Sequence, residues 1–282
     1  MAFEYLKHAL TVPVRVADIQ TRFILDTGIG LNLISKSLAA RVGCRPDGST
    51  FTGQRMSGQA VTIPLGTVSS LQIGEHSSRE TRVGIFDMHA MAGLEQVEGF
   101  LSLTSFRTLP VTIDYAARLV ILDDGASLAR RAKRGSSVPV QIEYDDCSTR
   151  LLLRLDLPTG RVITVEVDTG SESVILDQSL AADVGVDLHD QSVRVHEGTD
   201  ETGYEFTRYF ARMDGDISVT GAPRYHVTAP DVMFQKIIYD GLVGDRFLRS
   251  FTTTYDLANE RMIFSDALTP TLPEPDRKMG VS

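Results

Sequence analysis

Two tripeptides, Asp26-Thr27-Gly28 and Asp168-Thr169-Gly170, hold the residues best suited to chemistry in this sequence. Two carboxyl groups held close together cannot both ionise. They share one proton, so one can act as a base toward water while the other acts as an acid. Such a pair needs no metal and forms no covalent intermediate. One Asp-Thr-Gly alone carries little information, because average residue frequencies produce it by chance in about one chain in twenty of this length. The pairing, and what travels with it, carries the argument.

The segments around each tripeptide read as strands. Apolar Phe23-Ile24-Leu25 and Val165-Glu166-Val167 precede them, and Leu31-Asn32-Leu33-Ile34 and Ser173-Val174-Ile175-Leu176 follow. Upstream, Val12, Val14 and Val16 alternate, then turn at Asp18-Ile19-Gln20 into Phe23 and Leu25. Likewise Leu151, Leu153, Leu155 and Leu157 alternate, turn at Pro158-Thr159-Gly160, and continue through Ile163, Val165 and Val167. Alternation with period two predicts paired strands on both occasions. A short helix is predicted after each, from Ser35 to Gly43 and from Asp177 to Gly185, with Ser35 and Asp177 as N-caps.

These landmarks keep one register. Asp26 and Asp168 differ by 168 − 26 = 142, Gly43 and Gly185 by 185 − 43 = 142, and Glu98 and Asp240 by 240 − 98 = 142. Asp114 and Asp256 follow at the same offset, as do the apolar runs Leu119–Leu122 and Arg261–Phe264. A constant offset over so many landmarks reads as an internal duplication.

The expected fold class is therefore all-β, two similar lobes of closed-barrel type with short helices and a cleft between them. The expected division is residues 1–124 for the first lobe, 125–137 for a solvated linker, 138–268 for the second lobe and 269–282 for a disordered tail. The linker contains the basic run Arg130-Arg131-Ala132-Lys133-Arg134. Polar tips at Gln54–Gln59 and His196–Glu201 sit between alternating segments and predict a hairpin in each half.

Composition narrows the class. The 282 residues are 42% hydrophobic and 23% charged, with net charge -9, which argues for a soluble protein and against a nucleic-acid or anionic-membrane surface. Cys44 and Cys147 are too few for a disulfide framework and are expected as free thiols. The first thirty residues hold no long apolar block, and nowhere do eighteen apolar residues run together, so the expected location is cytoplasmic.

Taken together, the paired Asp-Thr-Gly turns in homologous halves resemble the aspartic protease superfamily of pepsins and retropepsins, over residues 10–266. Asp240–Leu248 resembles that superfamily's hydrophobic-hydrophobic-glycine segment. The resemblance implies an aspartic endopeptidase with Asp26 and Asp168 as the catalytic pair and an extended peptide bound between the lobes. It further implies that Thr27 and Thr169 cross-bond to the opposite loop, that Gly28 and Gly170 allow close approach, and that Ser171 hydrogen-bonds its neighbouring aspartate. Met56, Ser57 and Gly58, and in the second half Gly198, Thr199 and Asp200, would form flaps over bound peptide. No cofactor, metal, nucleic acid or membrane partner is expected, and both lobes are expected from one chain acting as a monomer.

The sequence also departs from the pepsin pattern. Ile29 replaces a serine, Ser102 stands where the second half has Gly244, the first flap lacks tyrosine, and no tryptophan is present. These departures favour a duplicated retropepsin-like module over a secreted pepsin. They also motivate a second reading, a catalytically silent two-lobed peptide-binding or scaffold protein. A third reading pairs each lobe with that of another chain. The six histidines (His8, His76, His89, His189, His196, His226) lack ligand spacing and read as surface or structural. Asp87 and Asp245 read as solvated or capping carboxylates, Asp114 and Asp256 as turn residues, and Glu166 as facing outward from its strand.

Overall fold

The computed structural model describes residues 1–88, 93–94, 96–199 and 203–266. His89, Asp200 and the tail 269–282 lie outside the described residues. The chain is all-β with short helices.

The alternating valines do what their spacing demands. Val12, Val14 and Val16 of strand Ala9–Val16 are buried on one face and pair with strand Ile19–Leu25. Leu151, Leu153 and Leu155 of strand Thr149–Asp156 repeat this against Val162–Val167. Burying such side chains contributes roughly 1.5–3 kcal/mol each before entropy is subtracted.

The first half forms an eight-stranded sheet from Glu4–Leu6 to Thr50–Gln54, and Ala9–Val16 also pairs with Ala60–Ile73, curling the sheet on itself. The second half forms a ten-stranded sheet that includes Gln141–Tyr144 and Ala222–Thr228. Both share one mixed arrangement. Ile19–Leu25 runs parallel to Gly99–Leu101, which is antiparallel to Leu33–Ser35. Val162–Val167 runs parallel to Gly241–Val243, which is antiparallel to Val174–Asp177.

A five-stranded sheet joins the halves, in the order Leu119–Leu122, Val111–Asp114, Phe251–Asp256, Arg261–Asp266 and Ser136–Pro139. At its centre Thr112 and Thr254, 142 residues apart, share a 2.6 Å hydroxyl–hydroxyl bond. The stretch expected as a solvated linker is more ordered than that. It contains helix Gly125–Arg134, capped by Asp124, and then the outer strand Ser136–Pro139. Arg131 turns back to bind the buried Asp123 at 2.8 Å, and Asp123 also accepts from Thr112. One cation of the basic run thus neutralises a carboxylate inside the joining sheet, which periodicity could not reveal.

The predicted helix after Ser35 is Lys36–Arg41, with the Ser35 hydroxyl accepting from the Leu38 N–H at 2.9 Å. Its counterpart is two 3-10 turns, Gln178–Leu180 and Ala182–Val184, begun by Asp177. Both hairpins form, Thr50–Gln54 with Ala60–Ile73 and Arg194–Thr199 with Glu205–Arg212. Cys44 and Cys147 are free and buried. Among the described residues no helix is long and apolar enough to cross a membrane.

Candidate active site

Each Asp-Thr-Gly begins where a central strand ends. Asp26 N–H donates to Leu101 O at 2.9 Å, and Asp168 N–H donates to Val243 O at 3.0 Å, the same bond in each half. These bonds aim the two loops at one another across the joint between the sheets.

The threonines lock them. Thr27 N–H donates to Thr169 Oγ1 at 3.1 Å, and Thr169 N–H donates to Thr27 Oγ1 at 3.0 Å. Each hydroxyl then donates to a strand end of the opposite half, Thr27 to Val167 O at 2.6 Å and Thr169 to Leu25 O at 2.7 Å. Both threonines are buried, so every bond sits where water cannot replace it.

The glycines set the spacing. A Cβ on Gly28 would lie 2.6 Å from Cγ of Asp168, and a Cβ on Gly170 would lie 2.5 Å from Cγ of Asp26. Any side chain there would push the carboxyls apart. Gly28 N–H donates to Asp26 Oδ1 at 2.9 Å and Gly170 N–H to Asp168 Oδ1 at 2.8 Å. The two carboxyls hydrogen-bond one another.

Burial raises the pKa of Asp26, against bonds from Asp168 and the N–H groups of Gly28 and Ile29 that lower it. Burial also raises Asp168, well above the usual carboxylate range, and the Asp26 charge and the bond to Asp26 add to the rise. The two titrate as a pair.

The departures at Ile29 and Ser102 are absorbed locally. Ile29 supports Asp26 through its backbone N–H, and Ser171 supports Asp168 in the same way. The hydroxyl present at 171 and missing at 29 is therefore not what distinguishes the two loops. In the second half Gly244 is obligatory, since a Cβ would meet Ser171 O at 2.5 Å. In the first half the Asn32 carboxamide takes that place and accepts the Ser102 N–H at 2.9 Å, while the Ser102 hydroxyl caps the turn Leu103–Phe106 through Thr104 N–H.

The first hairpin closes over the second half. Met56 packs on Ile175, Met233 and Leu242 together with Phe210, Ile237 and Tyr239, and its carbonyl accepts the Ile238 N–H at 3.0 Å. A Cβ on Gly58 would lie 2.9 Å from Ile238 Cγ2, and the Ser57 hydroxyl donates to Gln59 at 3.4 Å. Gly198 and Thr199 lie in the outermost strand of the ten-stranded sheet, paired with Phe206 and Glu205. The apolar group that receives Met56 is Ile175, Met233 and Leu242, with Phe210, Ile237 and Tyr239 beside it, and includes neither Gly198 nor Thr199.

Glu166 corrects the outward reading. Its strand buries both faces, with Val165 and Val167 in the main core and Glu166 only 8% exposed on the other side. Direct pairing puts Leu152, Glu166, Leu242, Ile175, Met233 and Phe210 in one row on that face. Arg150 Nε lies 3.4 Å from Glu166 Oε1, Tyr239 hydrogen-bonds it, and the Arg150 guanidinium stacks 4.8 Å over the Tyr239 ring. Burial pushes the Glu166 pKa up to about 7; Arg150 opposes the rise and Asp168 adds to it. A sequence signal existed: 166 − 142 = 24, and position 24 holds an isoleucine that is also buried.

Other expectations resolve simply. His8, set aside as structural, reaches across to Gly170 O at 3.0 Å. Asp245 is buried rather than solvated and accepts from the Tyr5 hydroxyl at 3.0 Å. Asp87 pairs with Lys36 at the surface at 2.9 Å. Asp114 holds a turn through Ala117 N–H, and Asp256 binds Asn259 and Arg261.

Two interlocked Asp-Thr-Gly loops thus lie at the joint of two sheets that share one strand arrangement. Residues 12–103 match the model of a family described as aspartyl protease. That match spans the first half from the strand carrying Val12 through Asp26-Thr27-Gly28 to the turn after Gly99–Leu101, so the first half is similar to that family. No curated protein matches the sequence.

Proposed function

We propose that the chain is an aspartic endopeptidase in which Asp26 and Asp168 together activate one water. The single observation that carries this reading is the pair of carboxyls, Asp26 buried and Asp168 half-buried, bonded to each other and fenced by Gly28 and Gly170. With one proton between them, the ionised carboxyl takes a proton from water as the water oxygen bonds to the peptide carbonyl carbon. The neutral carboxyl passes its proton to the carbonyl oxygen, giving a neutral gem-diol and leaving one proton on the pair. The dyad proton then passes to the peptide nitrogen, a gem-diol hydroxyl returns its proton to the pair as the C–N bond breaks, and the new acid and amine leave with one proton again on the pair.

An extended peptide lies between the two lobes, under the hairpin of Met56, Ser57 and Gly58, and gains main-chain bonds as an added strand does. Both lobes come from one chain working as a monomer. The free thiols Cys44 and Cys147 favour a reducing, cytoplasmic setting. The silent-scaffold reading draws on Ile29 and Ser102; that both are accommodated locally supports the peptidase reading over it. Digestion of a peptide library across acidic to mildly alkaline pH tests the function. Discrete new termini, suppressed by a statine-containing peptide, are expected; an undigested library at every pH would overturn the reading.

A further inference from the structure

The two catalytic loops are alike, but their floors are not. Beside Asp26 the floor is apolar: Ile24 pairs with Phe100, and Phe100 with Leu33. Beside Asp168 the same position carries Glu166, set in a row of Leu152, Leu242 and Ile175. An acidic side chain in an apolar row is costly unless it is paired. Glu166 is paired, by Arg150 at 3.4 Å from the neighbouring strand and by the Tyr239 hydroxyl from the loop before Gly241–Val243. Arg150 is itself braced by Glu143 at 3.4 Å and by the Tyr239 ring.

We propose that Glu166 is a positioning residue for the dyad: its carboxylate, held two residues before Asp168 by Arg150 and Tyr239, keeps the shared proton on Asp26 and Asp168 to higher pH. The order of ionisation follows from the partners. A cation and a phenol hydroxyl favour the Glu166 anion, whereas the interactions on the dyad are burial, the carboxyls themselves, backbone N–H groups and the Glu166 charge, with no cation among the leading ones. Glu166 therefore ionises first, with a pKa of about 7. Its negative charge then opposes the loss of the last dyad proton, because a third like charge nearby is unfavourable. The groups facing Glu166 are Arg150, Tyr239, Asp168 and Asp26; Glu143 reaches it only through Arg150, and the hairpin above brings apolar Met56. In functional terms, Glu166 extends the working range of the dyad toward neutral pH.

This inference rests on the peptidase reading, but its test does not need cleavage. The full chain with 13C-labelled aspartate carboxyls is titrated by NMR as the parent, Glu166→Gln and Arg150→Met. Glu166→Gln removes the charge at nearly constant shape. Arg150→Met leaves the acid without its cation and hence neutral to higher pH, so both variants are expected to lower the last dyad step by about one pH unit. The alkaline limb of any peptidase activity should move with it. An unchanged last step in the folded variants overturns the inference. A parent that cuts no peptide, with the last step still lowered in the variants, would overturn the proposed function and leave the electrostatic coupling standing.

Discussion

Thr27 and Thr169 each donate a backbone N–H to the other's hydroxyl, at 3.1 and 3.0 Å, across 142 residues of sequence. The two loops are thus held by one reciprocal device, and its geometry is specific to a β-hydroxyl. Thr27→Val removes the bond to Val167 O and leaves the Thr169 N–H buried without an acceptor. Such an orphaned group costs about 1–3 kcal/mol, so thermal unfolding is expected several degrees lower. Thr27→Ser keeps the hydroxyl and is expected to recover most of the loss.

Close approach makes the glycines more sensitive than their flexibility would. A methyl at Gly28 would sit 2.6 Å from Asp168 Cγ, well inside van der Waals contact. Gly28→Ala is expected to cost about 1–3 kcal/mol by overpacking and to separate the carboxyls. The separation should appear in a carboxyl titration as two acids closer to their ordinary values.

Holding two carboxyls beside each other costs stability, with a definite sign. Asp168 has a folded pKa raised above its usual 3.8, so the folded state holds its proton where the unfolded chain has lost it. Stability is then greatest below that usual value and falls as pH rises through the raised one. Asp168→Asn keeps the shape and removes the ionisation. Its melting temperature is expected to exceed the parent's at neutral pH, with the difference vanishing below the usual aspartate pKa. Glu166, raised from 4.5 to about 7, contributes the same sign over that window.

The first hairpin is held against the second half by the Met56 side chain and by a backbone bond, Ile238 N–H to Met56 O at 3.0 Å. Met56→Ala removes most of the apolar contact with Ile175, Met233 and Leu242 and is expected to weaken docking by about 1–2 kcal/mol. Hydrogen exchange at Ile238 should then be roughly tenfold faster, with core amides of the joining sheet unaffected.

Much of this arrangement was legible in the sequence because strands alternate strictly and the landmarks kept one offset. Val12, Val14 and Val16 specified a buried face, and the spacing of Asp26 and Asp168 identified them as equivalent positions. Glu166 was misread for a physical reason. Alternation reports which residues share a face, not whether the second face meets water, and here that face is the floor under the Met56 hairpin. Arg131 was missed similarly, since its partner Asp123 is brought near by the joining sheet and not by local pattern. Asn32 standing in for a backbone contact at Ser102 also depends on loop geometry that residue types alone do not encode.

The central claim is that Asp26 and Asp168 act as one unit on one water. Its most direct measurement is the rate of peptide cleavage by the parent, Asp26→Asn and Asp168→Asn, each confirmed folded by its melting transition. Either substitution leaves a pair that cannot both take and give a proton, so both variants are expected to lose activity by about a hundredfold or more. Cleavage by either variant at the parent's rate would contradict the account.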